Sequence, residues 1–135
     1  MKSGEKIYAN THYEFINKLL NKHIDYFGKC ALKMKNDDIL WFIPINGKQH
    51  SSGWTNTPYD GGNAICEEYT AGLNIKDEFE LEMQRVVFNV IETTYSGREY
   101  VFMGVYELDY KHNFNSTHHT WRKISDTYDF SKCKY

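Results

Sequence analysis

A chain of 135 residues with a formal charge of −2 has room for one real hydrophobic core, and a single domain, 1–135, is the expectation. That charge excludes a general polyanion binder, so contact with nucleic acid has to rest on a local basic patch. The longest strongly apolar run, 39–45, is far too short to cross a bilayer, which excludes a helical membrane span.

The unusual feature is aromatic content, 11 Tyr, 8 Phe and 3 Trp, because Tyr and Trp serve contact surfaces as well as cores. Cys30, Cys66 and Cys133 are odd in number and far apart in sequence. That speaks against a disulfide framework and for a reducing cytoplasm, and Met1-Lys2-Ser3-Gly4 does not open a signal peptide. Abundant Lys, Asn, Ile and Tyr with scarce Arg, Ala and Pro fit an AT-rich coding source, such as a bacterium or one of its mobile elements.

In chain order, a loose lead-in with a short strand at Ile7-Tyr8 comes first. Thr11 and Glu14 stand at capping-box spacing. Phe15, Ile16, Leu19, Leu20, His23, Ile24 and Phe27 then form a stripe near the 3.6-residue period, which predicts an amphipathic helix over 11–27 stopped by Gly28. Residues 29–35 and 39–45 flank Asn36-Asp37-Asp38 and read as a hairpin whose second strand ends near Pro44. The stretch 46–62, NGKQHSSGWTNTPYDGG, reads as the longest loop. Asn63–Tyr69 returns as a short strand, and 73–83 alternates as a half-exposed one.

The strongest element is Gln84–Leu108, two β-rich arms joined by Tyr95-Ser96-Gly97-Arg98. Strict alternation puts Val86, Phe88 and Val90 on one face. In the second arm it groups Tyr100, Phe102, Tyr106 and Leu108 against Val101, Met103 and Val105. Arms apolar on both faces belong at the centre of a sheet, and Gly104 suggests a bulge or a close backbone crossing. A polar loop over 109–120, a last strand Trp121–Ser125 and a closing segment 126–135 complete the chain. The fold class expected is α+β, a small, strongly bent, mostly antiparallel β-barrel with an N-terminal amphipathic helix packed on it.

Two stretches carry candidate chemistry. Trp54, Asn56, Tyr59 and Asp60 combine rings that stack on a planar base with amide and carboxylate groups that read its polar edge; the alternative is a Trp folded back as a lid on the core. Lys111, His118, His119, Arg122 and Lys123 form a locally basic segment interleaved with Tyr110, Phe114 and Trp121, suited to phosphates and bases; the alternative is a solvated loop and strand end. Glu67 to Glu82 is acidic by contrast. His112, His118, His119 and Cys133 are metal-ligand types without metal-site spacing, so no metal and no cofactor are expected. Cys66 sits among carboxylates that discourage a thiolate, and no catalytic residue is nominated.

The arrangement resembles the PUA-like superfamily, the EVE, ASCH, YTH and SRA group. Trp54-Thr55-Asn56, Tyr100-Val101-Phe102-Met103-Gly104-Val105-Tyr106 and Trp121-Arg122-Lys123-Ile124 carry the resemblance, although the early Gly-Asp of the EVE pattern is absent. It implies a small bent barrel with flanking helices that reads modified bases, often in restriction-type defence. The leading expectation is therefore a non-enzymatic nucleic-acid-binding domain reading a modified or flipped base. Two alternatives stay open: a protein-binding inhibitor or accessory module using the acidic face 67–82, and a small nuclease using His118 or His119.

Overall fold

The computed structural model describes residues 1–50, 53–69, 83–93, 97–111 and 118–135. Strand β1 (Lys6–Ala9) leads into helix α1 (His12–Leu20). Then come β2 (Ala31–Lys33), β3 (Ile39–Ile43), β4 (Trp54–Tyr59), β5 (Ala64–Tyr69), β6 (Arg85–Thr93), β7 (Gly97–Leu108) and β8 (His118–Ser125). Short 3-10 turns occupy Asp60–Gly62 and Phe130–Cys133. The protein is α+β and mostly strand. The alternating stretch 73–83 lies outside the described residues except for Met83.

The predicted central hairpin is the middle of the sheet. Its arms β6 and β7 pair antiparallel from Arg85↔Tyr106 to Thr93↔Gly97. The ladder runs β2-β3-β6-β7-β8-β5-β4, with β1 added on β7. Every pairing is antiparallel except β3 with β6. The path ends at β2 and β4, which do not pair with each other among the described residues, so hydrogen bonds leave the sheet open where the sequence suggested a barrel.

The sheet nevertheless curls. β3 and β8 stand three ladder steps apart, about 14 Å across a flat sheet, yet the Trp41 and Trp121 rings they carry lie 6.0 Å apart. Two apolar clusters result, one on each face. On the helix side Phe15, Ile16 and Leu20 of α1 pack on Phe42, Phe88, Tyr100 and Phe102, with Phe15 stacked on Tyr100 at 4.0 Å. The inner face gathers Trp41, Ile43, Ile65, Val87, Tyr106 and Trp121.

Three expectations are corrected. Helix α1 stops at Leu20, not Phe27, because Asn21 turns left-handed (φ 55°). The Asn17 side chain then takes both the N–H (3.1 Å) and the C=O (2.8 Å) of Ile24, turning the chain back. Ile24 and Phe27 still pack on the core, without a helix. The capping signal was sound: Thr11 accepts from Glu14 N, and Glu14 accepts from Asn10 N.

Secondly, six residues of the supposed loop 46–62 form strand β4, an edge position where Pro58 needs no ladder N–H. Thirdly, Tyr106 and Leu108 do not share a face with Tyr100 and Phe102. Val87 opposes Gly104 but Phe88 opposes Phe102, so one extra residue is inserted. Beyond this bulge the alternation inverts: Val105 joins the helix side, and Tyr106 and Leu108 the inner face. The bulge needs glycine. Gly104 has φ 133°, and a Cβ there would sit 2.6 Å from Ser125 O, which is the close backbone crossing the sequence suggested.

Candidate functional site

Alternation along β4 turns Trp54 and Asn56 toward the inner face. The register then builds rows across three strands. Trp54 opposes Tyr69, and Asn56 opposes Glu67. Glu67 in turn opposes His119 on β8. Asn56, Glu67, Arg85 and His119 are the buried polar and charged residues among those described, at 3, 7, 6 and 0 % exposure.

Glu67 is the hub. Its Oε1 lies 3.0 Å from His119 Nδ1 and accepts the Trp121 indole N–H at 3.1 Å. Its Oε2 forms an ion pair with Arg85 at 3.7 Å. The Arg85 guanidinium is held between the indoles of Trp121 (4.1 Å) and Trp41 (4.7 Å), a cation–π sandwich. Burial pushes the Glu67 carboxyl up, but Arg85, His119 and Trp121 together hold it below the usual carboxylate range. A buried carboxylate therefore stays ionised.

Above it, half-buried Trp54 lies nearly parallel to His119 (27°, 5.8 Å) and edge-on to Tyr69 (5.4 Å). Asn56 Oδ1 is buried with no hydrogen-bond partner among the described residues. Leaving such an acceptor unpaired costs about 1–3 kcal/mol, the kind of deficit found where a ligand group completes a site. Asn89, by contrast, spends its side-chain oxygen on Ile45 N.

A family model described as the SET and RING associated domain matches residues 1–130. The chain belongs to the SRA family. This is one of the PUA-like branches that the sequence resembles. No curated protein matches the chain. Among solved structures it is similar to "The 5-Hydroxymethylcytosine-Specific Restriction Enzyme AbaSI", with TM-score 0.65 and 18% identity over 90% of this chain and 41% of that one. At that identity the likeness speaks for the fold, and the chain spans about two fifths of the AbaSI chain.

The SRA fold brings together only part of what the sequence nominated. Trp54 and Asn56 stand side by side on the inner face. Tyr59 and Asp60 do not join them: Tyr59 ends β4, about 17 Å from Trp54 and about 10 Å from Asn56 at strand rise, and Asp60 opens the 3-10 turn, both exposed.

The basic group divides too. His119 is fully buried, bonded to Glu67 beneath Trp54, and faces no phosphate. His118 points to the opposite face, where its Nε2 meets Cys66 Sγ at 2.8 Å. Arg122 donates to Asp109 at 2.7 Å, and Lys123 to Asp126 at 3.0 Å. Lys111 is exposed, its backbone N–H on Asp109 Oδ1. His112 and Phe114 lie outside the described residues, and among the described residues no group of three metal-ligand side chains converges. Nor does Glu67 belong to an acidic face, since it is inside; the rest of that run, from residue 70 on, lies outside the described residues.

Sequence reasoning missed Arg85 and Trp41, assigned Glu67 to an acidic face, and offered Trp121 for stacking on bases where the structure buries it completely beside Arg85. One signal was present: Arg85 opens a strand, Arg85-Val86-Val87-Phe88, that is otherwise apolar on both faces, and a charge there needs a buried partner.

Proposed function

We propose that this SRA domain binds DNA and reads a modified cytosine turned out of the duplex, on the inner face around Trp54, Asn56 and Glu67. The unpartnered, buried Asn56 Oδ1 carries the reading. It is an acceptor beside an indole, and cytosine presents the complementary donor, its exocyclic amine, where thymine presents an acceptor. Trp54 covers one face of the extruded ring. The ionised Glu67, fixed by Arg85, His119 and Trp121, keeps the floor polar and rigid. SRA domains bind modified cytosine, and AbaSI is a 5-hydroxymethylcytosine-specific restriction enzyme; both favour cytosine over other bases.

Lys111, Arg122 and Lys123 remain the proposed phosphate contacts at the far end of the sheet, where Asp109 and Asp126 hold two of them until phosphate displaces the carboxylates. Tyr59 moves with them, from base reading to backbone contact, whereas the Asp60 carboxylate would repel phosphate and takes no part. A restriction-type defence setting and a cytoplasmic location belong to the same proposal. The residues named here recognise; they are not assigned strand cleavage. No helix among the described residues is long and apolar enough to cross a membrane, and the burial of Glu67 weakens the acidic-face alternative.

The test is binding to short duplexes that carry one cytosine, 5-methylcytosine or 5-hydroxymethylcytosine. Trp54→Ala is expected to weaken binding to the preferred duplex by about 1–3 kcal/mol, the worth of one base–aromatic stack, with the thermal midpoint little changed. Equal affinity of Trp54→Ala and the parent for all three duplexes would remove the inner face from consideration.

A further inference from the structure

A second cavity, of about 560 Å3, opens beside the helix-side core between the start of α1, the end of β3 and the far half of β6. Its size is that of small-molecule sites, about 300–1,000 Å3. It shares no residue with the Trp54–Glu67 face. Its lining includes apolar groups, Phe42, Pro44, Val90 and Ile91, together with the polar and basic Asn46, Asn89, His12, His50 and Arg98.

The hydrogen-bond inventory of the two lining amides is one-sided. Asn46 Oδ1 accepts Lys48 N at 2.9 Å, and Asn89 Oδ1 accepts Ile45 N at 2.9 Å. Both side-chain oxygens thus serve the backbone, and what each amide has left to offer is its NH2, a pure donor. Arg98 adds a guanidinium fork. The one acid among the described lining residues, Glu92, is paired with Arg98 at 3.7 Å, and its own side chain is 81% exposed. Burial, with Arg98 and then His50, holds the His12 pKa down at about 4. Burial is the larger cause, and it leaves His12 neutral near the Arg98 cation. Amide donors and a guanidinium next to apolar groups suit an organic anion.

We infer that this cavity is a binding site for a nucleoside phosphate, with the phosphate on Arg98 and the Asn46 and Asn89 amides and the ring against Phe42, Pro44 and Val90. The ligand is a free nucleotide or one unit of a bound strand; the recognition chemistry is the same. The site borders the reading face through the segment 46–56: His50 N donates to Trp54 O at 2.8 Å, and Gly47 N to Asn56 O at 2.9 Å. It does not depend on the cytosine-reading proposal.

The decisive variant is Asn89→Asp. It keeps the acceptor that Ile45 N needs and replaces the NH2 donor with a carboxylate oxygen, so the fold is retained while the preference for an anion is reversed. Binding of deoxycytidine and deoxyadenosine 5′-monophosphates, inorganic phosphate, uncharged deoxyadenosine and an unmodified single-stranded oligonucleotide is measured by calorimetry. Saturable binding of a mononucleotide is expected, weakened at least about tenfold by Asn89→Asp and by Arg98→Gln through loss of one charge-assisted contact, and unchanged by Trp54→Ala. If Asn89→Asp also weakens the oligonucleotide, the ligand comes from a strand; if only the mononucleotide responds, it is free nucleotide. Either result supports the site. Inorganic phosphate binding as tightly as the mononucleotides, deoxyadenosine binding as tightly as its phosphate, an unchanged affinity in Asn89→Asp, or no saturable binding would each overturn it.

Discussion

The two faces of one sheet have been built to opposite rules. The helix side is an aromatic core with the α1 stripe pressed onto β3, β6 and β7. The inner face has a smaller apolar cluster and buries a carboxylate, a guanidinium, an imidazole and an amide in its midst. Burial of charge without a partner costs several kcal/mol, so the inner face is stable only because Glu67, Arg85, His119 and Trp121 satisfy one another. A hydrophobic set of similar volume would serve stability as well or better. The polar hub makes sense for recognition, and the helix-side core for holding the curled sheet in shape.

The sharpest break of this contrast is Phe88→Ala on the helix side. Phe88 is fully buried against Phe15, Phe102 and Phe130, and removing it should cost about 3–5 kcal/mol of stability. Chemical denaturation reads this directly, and the molecules that remain folded should bind DNA with unchanged affinity. A loss of binding larger than the folded fraction explains would mean the two faces are coupled.

Arg85→Leu comes next. It strands Glu67 in the interior and should cost about 3–5 kcal/mol, whereas adding Glu67→Gln should return much of that loss, because a buried pair removed whole is far less costly than one broken. Additive losses in the double-mutant cycle would contradict the hub.

The smallest effect is on pH dependence, and the faces again differ. The folded pKa of Glu67 lies below its unfolded value, so its contribution is present above roughly pH 4.3 and is lost as pH falls through the lower folded value. His12 is also lowered, from 6.5 to about 4. As a base, it refuses protons that the unfolded chain accepts, so stability should fall as pH drops from 6.5 toward 4 and stay level above that window. Thermal midpoints of His12→Gln should show a shallower slope between those values than the parent, and the same slope in both would discount His12. Glu67→Gln should flatten only the more acidic part of the profile.

Much of this molecule was legible from residue order alone. The capping box, the β2–β3 hairpin, the β6–β7 centre and the role of Gly104 are local signals, set by side-chain propensity, turn chemistry and the space one missing Cβ leaves. The resemblance to the PUA-like group was legible too; Trp54 and Asn56 were named together, but as parts of a loop, and their shared strand face was not foreseen. What failed did so where distant chain decides local geometry. Asn17 folding back on Ile24 ended the helix a turn and more early. Pairing with β5 made a strand of a stretch composed like a loop. One inserted residue at Gly104 inverted the faces of half of β7.

The site itself was decided by tertiary structure. Asn56, Glu67 and His119 meet because two ladders align them across β4, β5 and β8, and Arg85 reaches Glu67 because the sheet curls enough to bring β6 over β5. Sequence spacing records which side chains alternate along a strand; it does not record which strands lie side by side or how far a sheet bends. Glu67 comes within hydrogen-bond or ion-pair range of His119, 52 positions away, and of Arg85, 18 away, only when long-range pairing and curvature are in place.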